Sequence, residues 1–207
     1  MGHLFLKDGL PGNWLSTNKE FYPNGVKKTL EKIKDYGFKP GFWVAPFYMN
    51  EKADDFQDNY DNLWKNNKGT PSPGEGWLWA ANADDNNLPV LYYMDTTHPK
   101  TIEYLKKIFT EYREWGIRYY MLDFLLAGRP RKDDCAYDNT MVRNWEGYRK
   151  CLQAVREAAG SDTHLLSAGR FLSGTCGYFE CLPHWHGLRG GAVFDAAFSI
   201  VSGQLYY

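Results

Sequence analysis

Apolar residues recur at helical spacing in three segments of the chain, and a glycine follows each segment. The apolar positions are Val26, Leu30, Ile33 and Tyr36 in the first segment, Ile102, Leu105, Phe109 and Tyr112 in the second, and Val142, Trp145, Leu152 and Val155 in the third. Positions three and four residues apart share one face of a helix. The pattern therefore predicts helices that begin near Asn24, at Pro99 and near Asn139, each ending just before its glycine.

A short run of apolar, aromatic and β-branched residues follows each predicted helix. These runs cover residues 40–47, 117–126 and 164–168, and further candidates lie at residues 3–6 and 191–194. Such runs, bounded by turn residues, are typical of buried parallel strands. The sequences YGFK and WGIR precede the first two runs, which indicates that one helix-to-strand turn is used twice.

The alternation of helices and strands predicts a parallel α/β fold, which is either a doubly wound sheet or a (β/α)8 barrel. No GxGxxG or Walker-type loop follows a strand, and the candidate polar and aromatic residues lie after the strands. A barrel carries its chemistry on these loops, so the barrel is favoured, with residues 1–207 as one domain. The polar stretch over residues 50–89 is long enough to indicate a functional loop.

Composition excludes some partners. The chain has 24 Lys and Arg against 25 Asp and Glu, which provides no basic surface for nucleic acid. The cysteines lack metal-like spacing, and His184 and His186 have no evident third ligand, so we predict no metal and no cofactor. There is no basic leader and no apolar run of membrane-spanning length, so we expect no membrane association and a cytoplasmic location.

Two aspartates directly follow apolar, aromatic runs of the chain. Asp123 comes after YYML, where a buried barrel strand emerges at the catalytic face, and this position predicts a nucleophile or base. A carboxylate that caps the next turn is the alternative. Asp95 comes after VLYYM and before TTHP, which is also an ordinary beginning of a helix, so the capping role is favoured there.

Several motifs, taken in order, resemble a known family. The segment PGNWLSTNKEFYPNGVKKTLEKIKDYGFKPGFWVAPF resembles the second and third barrel strands of α-galactosidase-like enzymes of glycoside hydrolase family 36, and the resemblance continues through LYYMDTTHP and GIRYYMLDFLLAG. It covers residues 4–128 well and residues 160–200 loosely. The resemblance implies a retaining glycosidase that uses two aspartates, and Asp123 matches the nucleophile at the end of the fourth strand.

Retaining hydrolysis requires a second carboxyl group, roughly 5 to 5.5 Å from the first, that acts as acid and then as base. The resemblance places this group in the region of the sixth strand. The family's arginine there corresponds to Arg189, but Val193 stands where the acid is expected. Asp195 is the nearest carboxylate downstream and is the candidate acid/base.

Two departures from the family pattern concern the sugar. Only Asp8 remains of an expected aspartate pair, because Lys7 takes the other place, and Met121 stands where the family has a lysine two residues before the nucleophile. We therefore predict that the site binds a sugar substituted differently from galactose.

Tryptophans are the candidate sugar platforms, because a flat indole can cover the apolar face of a pyranose. Aromatic residues make up 17% of the chain, which also suits ordinary core packing. The candidates are Trp14, in a GNW motif that resembles the family's GDW, together with Trp43, Trp77 and Trp79. Arg189 is a candidate polar residue of the site wall.

The sequence thus predicts an enzyme of carbohydrate metabolism that hydrolyses α-galactoside-like bonds in an oligosaccharide or glycoside. A catalytically impaired glycan-binding barrel and a transglycosidase with the same first step are the alternatives. A complete barrel takes about 250 residues. By the resemblance, the 207 residues span about strands two to six. We therefore expect a partial barrel whose open strand edges favour self-association.

Overall fold

The computed structural model describes residues 11–66, 68–74, 90–130, 141, 145–167 and 177–179. The strands are β1 (Gly41–Val44), β2 (Tyr48–Asn50), β3 (Leu91–Tyr93), β4 (Tyr119–Leu122) and β5 (His164–Ser167), and the helices are α1 (Val26–Asp35), α2 (Pro99–Glu114) and α3 (Glu146–Ala159). The described part is therefore a mixed α/β structure, as the sequence predicts. None of its helices is both long and apolar enough to cross a membrane.

A parallel sheet is formed by three strands in the order β1, β4, β5. The register pairs Trp43 with Met121, and Met121 with Leu166. These are the three strands that the apolar runs after the helices predict. Helix α3 connects β4 to β5, whereas the connection from β1 to β4 contains β2, β3 and α2.

One face of this sheet packs on α2. The rings of Phe42 and Tyr112 lie 5.0 Å apart in an edge-on contact, and those of Phe109 and Tyr120 lie 5.1 Å apart. Because side chains alternate between the faces of a strand, the neighbours of Phe42 and Tyr120 point away from the helix. Trp43 and Met121 therefore share the opposite face of the sheet, and both are partly exposed.

The first helix ends one residue earlier than its apolar pattern suggests. Gly37 adopts φ +82°, and its amide and that of Phe38 donate to the carbonyl oxygens of Lys34 and Ile33, which closes the helix end. Tyr36 therefore lies outside the helix and is 80% exposed. The prediction of Tyr36 on the apolar face is wrong for this reason.

The third predicted helix is interrupted within its predicted span. Met141 is helical, as predicted, but Trp145 has the left-handed conformation with φ +61°, which does not continue an α-helix, so α3 starts at Glu146. Leu152 and Val155 are buried as expected. The predicted inward position Val142 lies outside the described residues.

A second sheet flanks the predicted loop over residues 50–89, and the functional role of that loop stays a prediction. Strands β2 and β3 pair antiparallel, and isolated bridges join Leu63 to Met94 and Pro73 to Tyr92. The turn that precedes β2 is closed by the amide of Tyr48, which donates to the carbonyl oxygen of Ala45 at 3.3 Å. The segment VLYYM therefore builds this local antiparallel sheet and is not a strand of the parallel one.

Candidate active site

Asp123 directly follows β4 at the carboxyl end of the parallel sheet. Its amide donates to the carbonyl oxygen of Val44 at 2.9 Å, which extends the ladder to β1 by one step. Its side chain is half-buried. Since Asp123 is two residues from Met121, it follows the alternation of the strand onto the same face as Met121 and Trp43. The backbone thus places a carboxylate at the rim of an open face that carries an indole.

Both oxygens of the Asp123 carboxylate accept a hydrogen bond. Trp43 Nε1 donates to Oδ2 at 3.1 Å, and the amide of Phe124 donates to Oδ1 at 2.7 Å. Both donors are neutral, and no Lys, Arg or His of the described residues lies within salt-bridge distance of this carboxylate. Each oxygen keeps a further lone pair for a reaction partner.

Phe124 has a left-handed backbone with φ +50° and ψ +33°. This conformation is unusual for a bulky residue other than glycine and costs about 1 to 3 kcal/mol, so neighbouring contacts have to maintain it. The Phe124 ring makes edge contacts with Trp43 at 6.4 Å and with Tyr48 at 6.0 Å between centroids. Just beyond it, Thr96 Oγ1 donates to the carbonyl oxygen of Gly128 at 3.1 Å, which anchors the short 3-10 helix Leu125–Gly128.

Trp14 and Trp43 are neighbours, with ring centroids 6.3 Å apart. Trp43 is partly exposed, as a sugar platform requires. Trp14 is only 1% exposed, so in this structure its indole packs beneath Trp43 and has no open face for stacking. The hydroxyl of Tyr112 donates to the carbonyl oxygen of Trp14, and that of Tyr104 donates to the carbonyl oxygen of Gly12 at 3.0 Å. The burial of Trp14 does not favour the expected platform role, which stays a prediction.

Met121 lies in register between Trp43 and Leu166, on the face that carries Asp123. Met121 is partly exposed, and its side chain adds an apolar, uncharged surface on the face that carries the carboxylate. The structure thus places Met121 next to the candidate nucleophile, and its role in sugar selection stays a prediction.

The remaining predicted site residues lie outside the described residues. They are Asp8, Trp77, Trp79, Arg189 and Asp195. The pairing of Asp195 with Asp123 therefore stays a prediction, as do the platform roles of the two tryptophans. Within the described part of the chain, no cluster of three or more His, Cys, Asp or Glu residues forms a metal site.

Asp95 has the capping role that its sequence context favours. Its side chain is 1% exposed, and Oδ1 accepts hydrogen bonds from the Thr97 amide at 2.9 Å and from Thr97 Oγ1 at 2.6 Å. The Asp95 carbonyl oxygen accepts a hydrogen bond from Thr101 Oγ1 at 2.6 Å. Burial raises the pKa of Asp95, and the hydrogen bonds from Thr97 oppose that rise. Asp95 thus caps the turn that precedes α2, whereas the N-cap of the helix itself is His98, whose Nδ1 accepts a hydrogen bond from the Lys100 amide at 3.2 Å.

Phe124 is the feature of the site that sequence reasoning missed. Left-handed positions are signalled by Gly or Asn, and neither follows Asp123. The hydrogen bond from Trp43 to Asp123 joins residues 80 positions apart, so no local sequence pattern predicts it.

The chain is similar in structure to solved glycoside hydrolases. No protein-family model matches the chain. The α-galactosidase of Thermus thermophilus, solved in complex with p-nitrophenyl α-D-galactopyranoside, matches with a TM-score of 0.61 and 26% identity over 77% of this chain and 29% of that one.

Two other solved structures share the fold. The GH36 α-galactosidase AgaA from Geobacillus stearothermophilus matches with a TM-score of 0.62 and 12% identity over 88% of this chain and 24% of that one. A GH31 family sulfoquinovosidase from E. rectale matches with a TM-score of 0.59 and 23% identity over 83% of this chain and 25% of that one. This chain thus spans less than a third of the length of each. The fold confirms that the chain resembles the α-galactosidases of glycoside hydrolase family 36.

Proposed function

We propose that this chain carries the catalytic α/β core of a retaining glycosidase that hydrolyses α-galactoside-like bonds, with Asp123 as nucleophile. The observation that carries the proposal is the placement of Asp123 at the carboxyl end of a parallel strand, with both carboxylate oxygens hydrogen-bonded beside a partly exposed indole. The Thermus thermophilus α-galactosidase has also been solved with stachyose, and this supports an oligosaccharide as the substrate class.

The fold that accompanies this function is a partial (β/α)8 barrel of the TIM type. Strands β1, β4 and β5 suit its third, fourth and fifth strands, because they are parallel, neighbouring and covered on one face by a helix. A barrel left open in this way has unpaired strand edges. Sedimentation of the chain at increasing concentration tests the self-association that such edges predict.

In the first step, one oxygen of the Asp123 carboxylate attacks the anomeric carbon of the sugar. The bond between that carbon and the leaving oxygen breaks, and the leaving oxygen takes a proton from the acid/base carboxyl group. Asp195 is the proposed source of this proton. The product is a glycosyl ester on Asp123 and a free alcohol or sugar.

In the second step, the same acid/base group, now a carboxylate, takes a proton from water. The water oxygen attacks the anomeric carbon, the ester bond breaks, and the Asp123 carboxylate is restored. Two inversions at one carbon give overall retention. In a transglycosidase, a sugar hydroxyl takes the place of water in this step.

The sugar-binding part of the proposal assigns the ring platform to Trp43, with Trp77 and Trp79 as further candidates. Asp8 and Arg189 would contact sugar hydroxyls. Since Met121 is uncharged and Lys7 adds a cation elsewhere, we infer a sugar substituted differently from galactose. Full efficiency on an α-galactoside, with no loss in Lys7→Ala, would argue against this specificity.

A catalytically impaired glycan-binding barrel is the second candidate. The apolar side chain of Met121 beside Asp123 favours it, since no described cation assists the carboxylate there. A transglycosidase shares the first step with the hydrolase, and product analysis with an acceptor sugar separates the two.

The test uses p-nitrophenyl α-galactoside, whose good leaving group needs little help from the acid. We expect release of p-nitrophenol by the unmodified chain and none by Asp123→Ala or Asp123→Asn, with an unchanged far-UV circular dichroism spectrum. Asp58→Ala, at an exposed position, is the matched control and should keep full activity. No release by the folded, unmodified chain would favour the glycan-binding candidate for this sugar.

A further inference from the structure

The backbone leaves the β4 ladder immediately after Asp123. The Asp123 amide points toward β1, where it donates to Val44. Successive amides of a strand point to opposite sides, so in a continued strand the Phe124 amide would point toward β5. The chain turns instead through the left-handed conformation of Phe124, and that amide donates to Asp123 Oδ1 at 2.7 Å.

The second donor reaches the carboxylate from the neighbouring strand. Trp43, on β1, brings its indole N–H to Asp123 Oδ2 at 3.1 Å. Its ring neighbours that of Trp14, with centroids 6.3 Å apart, and that of Phe124, with centroids 6.4 Å apart. The two donors therefore contact each other through their side chains as well as sharing one acceptor group.

We propose that Trp43 and Phe124 are positioning residues that fix the orientation of the Asp123 carboxylate before substrate binds. Trp43 acts through its indole N–H, and Phe124 acts through a strained backbone that turns its amide out of the ladder. The catalytic consequence of this arrangement rests on the proposed function, whereas the arrangement itself does not.

The physical effect is the removal of rotational freedom from the nucleophile. Because each oxygen accepts one hydrogen bond, rotation of the Asp123 side chain about χ1 and χ2 is restricted. The remaining lone pairs of the carboxylate therefore keep a constant direction. A displacement of about 1 Å in a reacting group lowers the rate by as much as about 10²-fold. Loss of either donor should therefore lower kcat more than it changes KM.

Hydrogen exchange tests the arrangement without any substrate. Two-dimensional NMR follows the indole N–H of Trp43 and the amide of residue 124 in the unmodified chain and in Asp123→Ala. We expect both groups to lose protection in the variant, because their common acceptor is gone. The indole of Trp115, which donates to Glu111 Oε1 at 2.7 Å, is an internal control that should not change.

A pair of substitutions at Phe124 separates backbone geometry from packing. Phe124→Gly removes the ring but readily adopts φ near +50°, whereas Phe124→Ile keeps an apolar side chain that disfavours this conformation. We expect Phe124→Gly to retain more of the kcat and more protection of its amide than Phe124→Ile. A packing role alone predicts the reverse order, so that order would overturn the proposal for Phe124.

The contribution of Trp43 is tested by Trp43→Phe, which keeps an aromatic face and removes the N–H. We expect kcat to fall, toward about 10²-fold, with a smaller change in KM. Trp115→Phe is the matched control, because it also removes an indole N–H bonded to a carboxylate, but just after the C-terminal end of α2. An unchanged kcat in Trp43→Phe would overturn the role of this residue.

The two kinds of measurement keep this proposal separate from the proposed function. Unchanged exchange of both groups in Asp123→Ala overturns the positioning arrangement, even if the chain is an active glycosidase. Lost protection together with no turnover of the aryl galactoside supports the arrangement and counts against the glycosidase.

Discussion

The hydroxyl of Tyr112, on α2, donates a hydrogen bond to the backbone carbonyl oxygen of Trp14. Both side chains are almost wholly buried, at 0% and 1% exposure. Tyr104, on the same helix, donates to the carbonyl oxygen of Gly12 at 3.0 Å. Helix α2 thus holds the loop that places Trp14 beneath Trp43. Hydrogen bonds from the buried helix α2 therefore hold the backbone of Trp14, which packs against the candidate site residue Trp43.

The first prediction concerns this hydrogen bond. In Tyr112→Phe the Trp14 carbonyl oxygen loses its phenol donor in a buried place, so we expect the free energy of unfolding to fall by about 1 to 3 kcal/mol. Urea denaturation measures the change. Tyr36→Phe, at a position that is 80% exposed, is the matched control and should stay within about 0.5 kcal/mol of the unmodified chain. A loss in Tyr112→Phe no larger than in the control would contradict the structural role.

The second prediction concerns the buried carboxyl group of Asp95. Burial raises its pKa above the ordinary 3.8, so the folded state binds the proton more tightly than the unfolded state. The resulting stabilisation is complete below pH 3.8 and is lost as pH rises through the folded pKa. Asp95→Asn keeps an Oδ1 acceptor for Thr97 and does not titrate.

We therefore expect the unfolding free energy of the unmodified chain, minus that of Asp95→Asn, to fall as pH rises from about 3.8. Urea denaturation of both proteins between acid and neutral pH gives this difference directly. A difference that rises with pH would mean that the folded state favours the carboxylate form, which contradicts the burial argument.

Much of the fold follows from local patterns. Helix α2 runs from Pro99 to Glu114, close to the predicted span, because proline suits a first helical position and Gly116 adopts φ +84° just beyond the end. The antiparallel pairing of β2 with β3 was not predicted. Each strand has three residues, too few for a periodic signal, and the partner of a strand is chosen by tertiary contacts.

In the candidate site, too, some features follow from the local sequence and others depend on tertiary contacts. The position of Asp123 follows from the apolar run that ends at Leu122, so the sequence predicts it. The burial of Trp14 does not, because the exposure of an indole depends on the residues that cover it, here Trp43 and α2. The left-handed Phe124 is likewise maintained by distant contacts against its own local preference.

The third prediction concerns the close approach of α3 to the turn before α2. A Cβ atom added at Gly147 would lie 2.6 Å from the carbonyl oxygen of Thr96 and 3.1 Å from the Cα atom of Thr97. Both are backbone atoms that cannot move independently, so Gly147→Ala should lower the free energy of unfolding by about 1 to 3 kcal/mol. Gln153→Ala, on the exposed face of α3, should change it by less than about 0.5 kcal/mol. Equal stability of the two variants in urea would show that α3 can shift away.

The fourth prediction uses the chemistry of a missing nucleophile. Asp123→Ala leaves a space in which a small anion such as azide fits. With p-nitrophenyl α-galactoside, an azide nitrogen should attack the anomeric carbon from the face that Asp123 occupied, and p-nitrophenolate should leave. Because only one displacement takes place, the product should be the β-galactosyl azide, with the anomeric configuration inverted. Proton NMR of the product measures the anomeric coupling.

The configuration of this azide distinguishes the roles of the two carboxylates. If Asp123 is the nucleophile and Asp195 the acid/base, azide should restore p-nitrophenol release in Asp123→Ala with inversion. In Asp195→Ala, Asp123 still forms the glycosyl ester, and azide that attacks this ester gives the α-galactosyl azide, with retention. An α-azide from Asp123→Ala would assign Asp123 to the acid/base position. If neither variant formed a galactosyl azide while both bound galactose, the glycan-binding candidate would be favoured. A barrel that only binds the sugar does not activate its anomeric carbon for attack by azide.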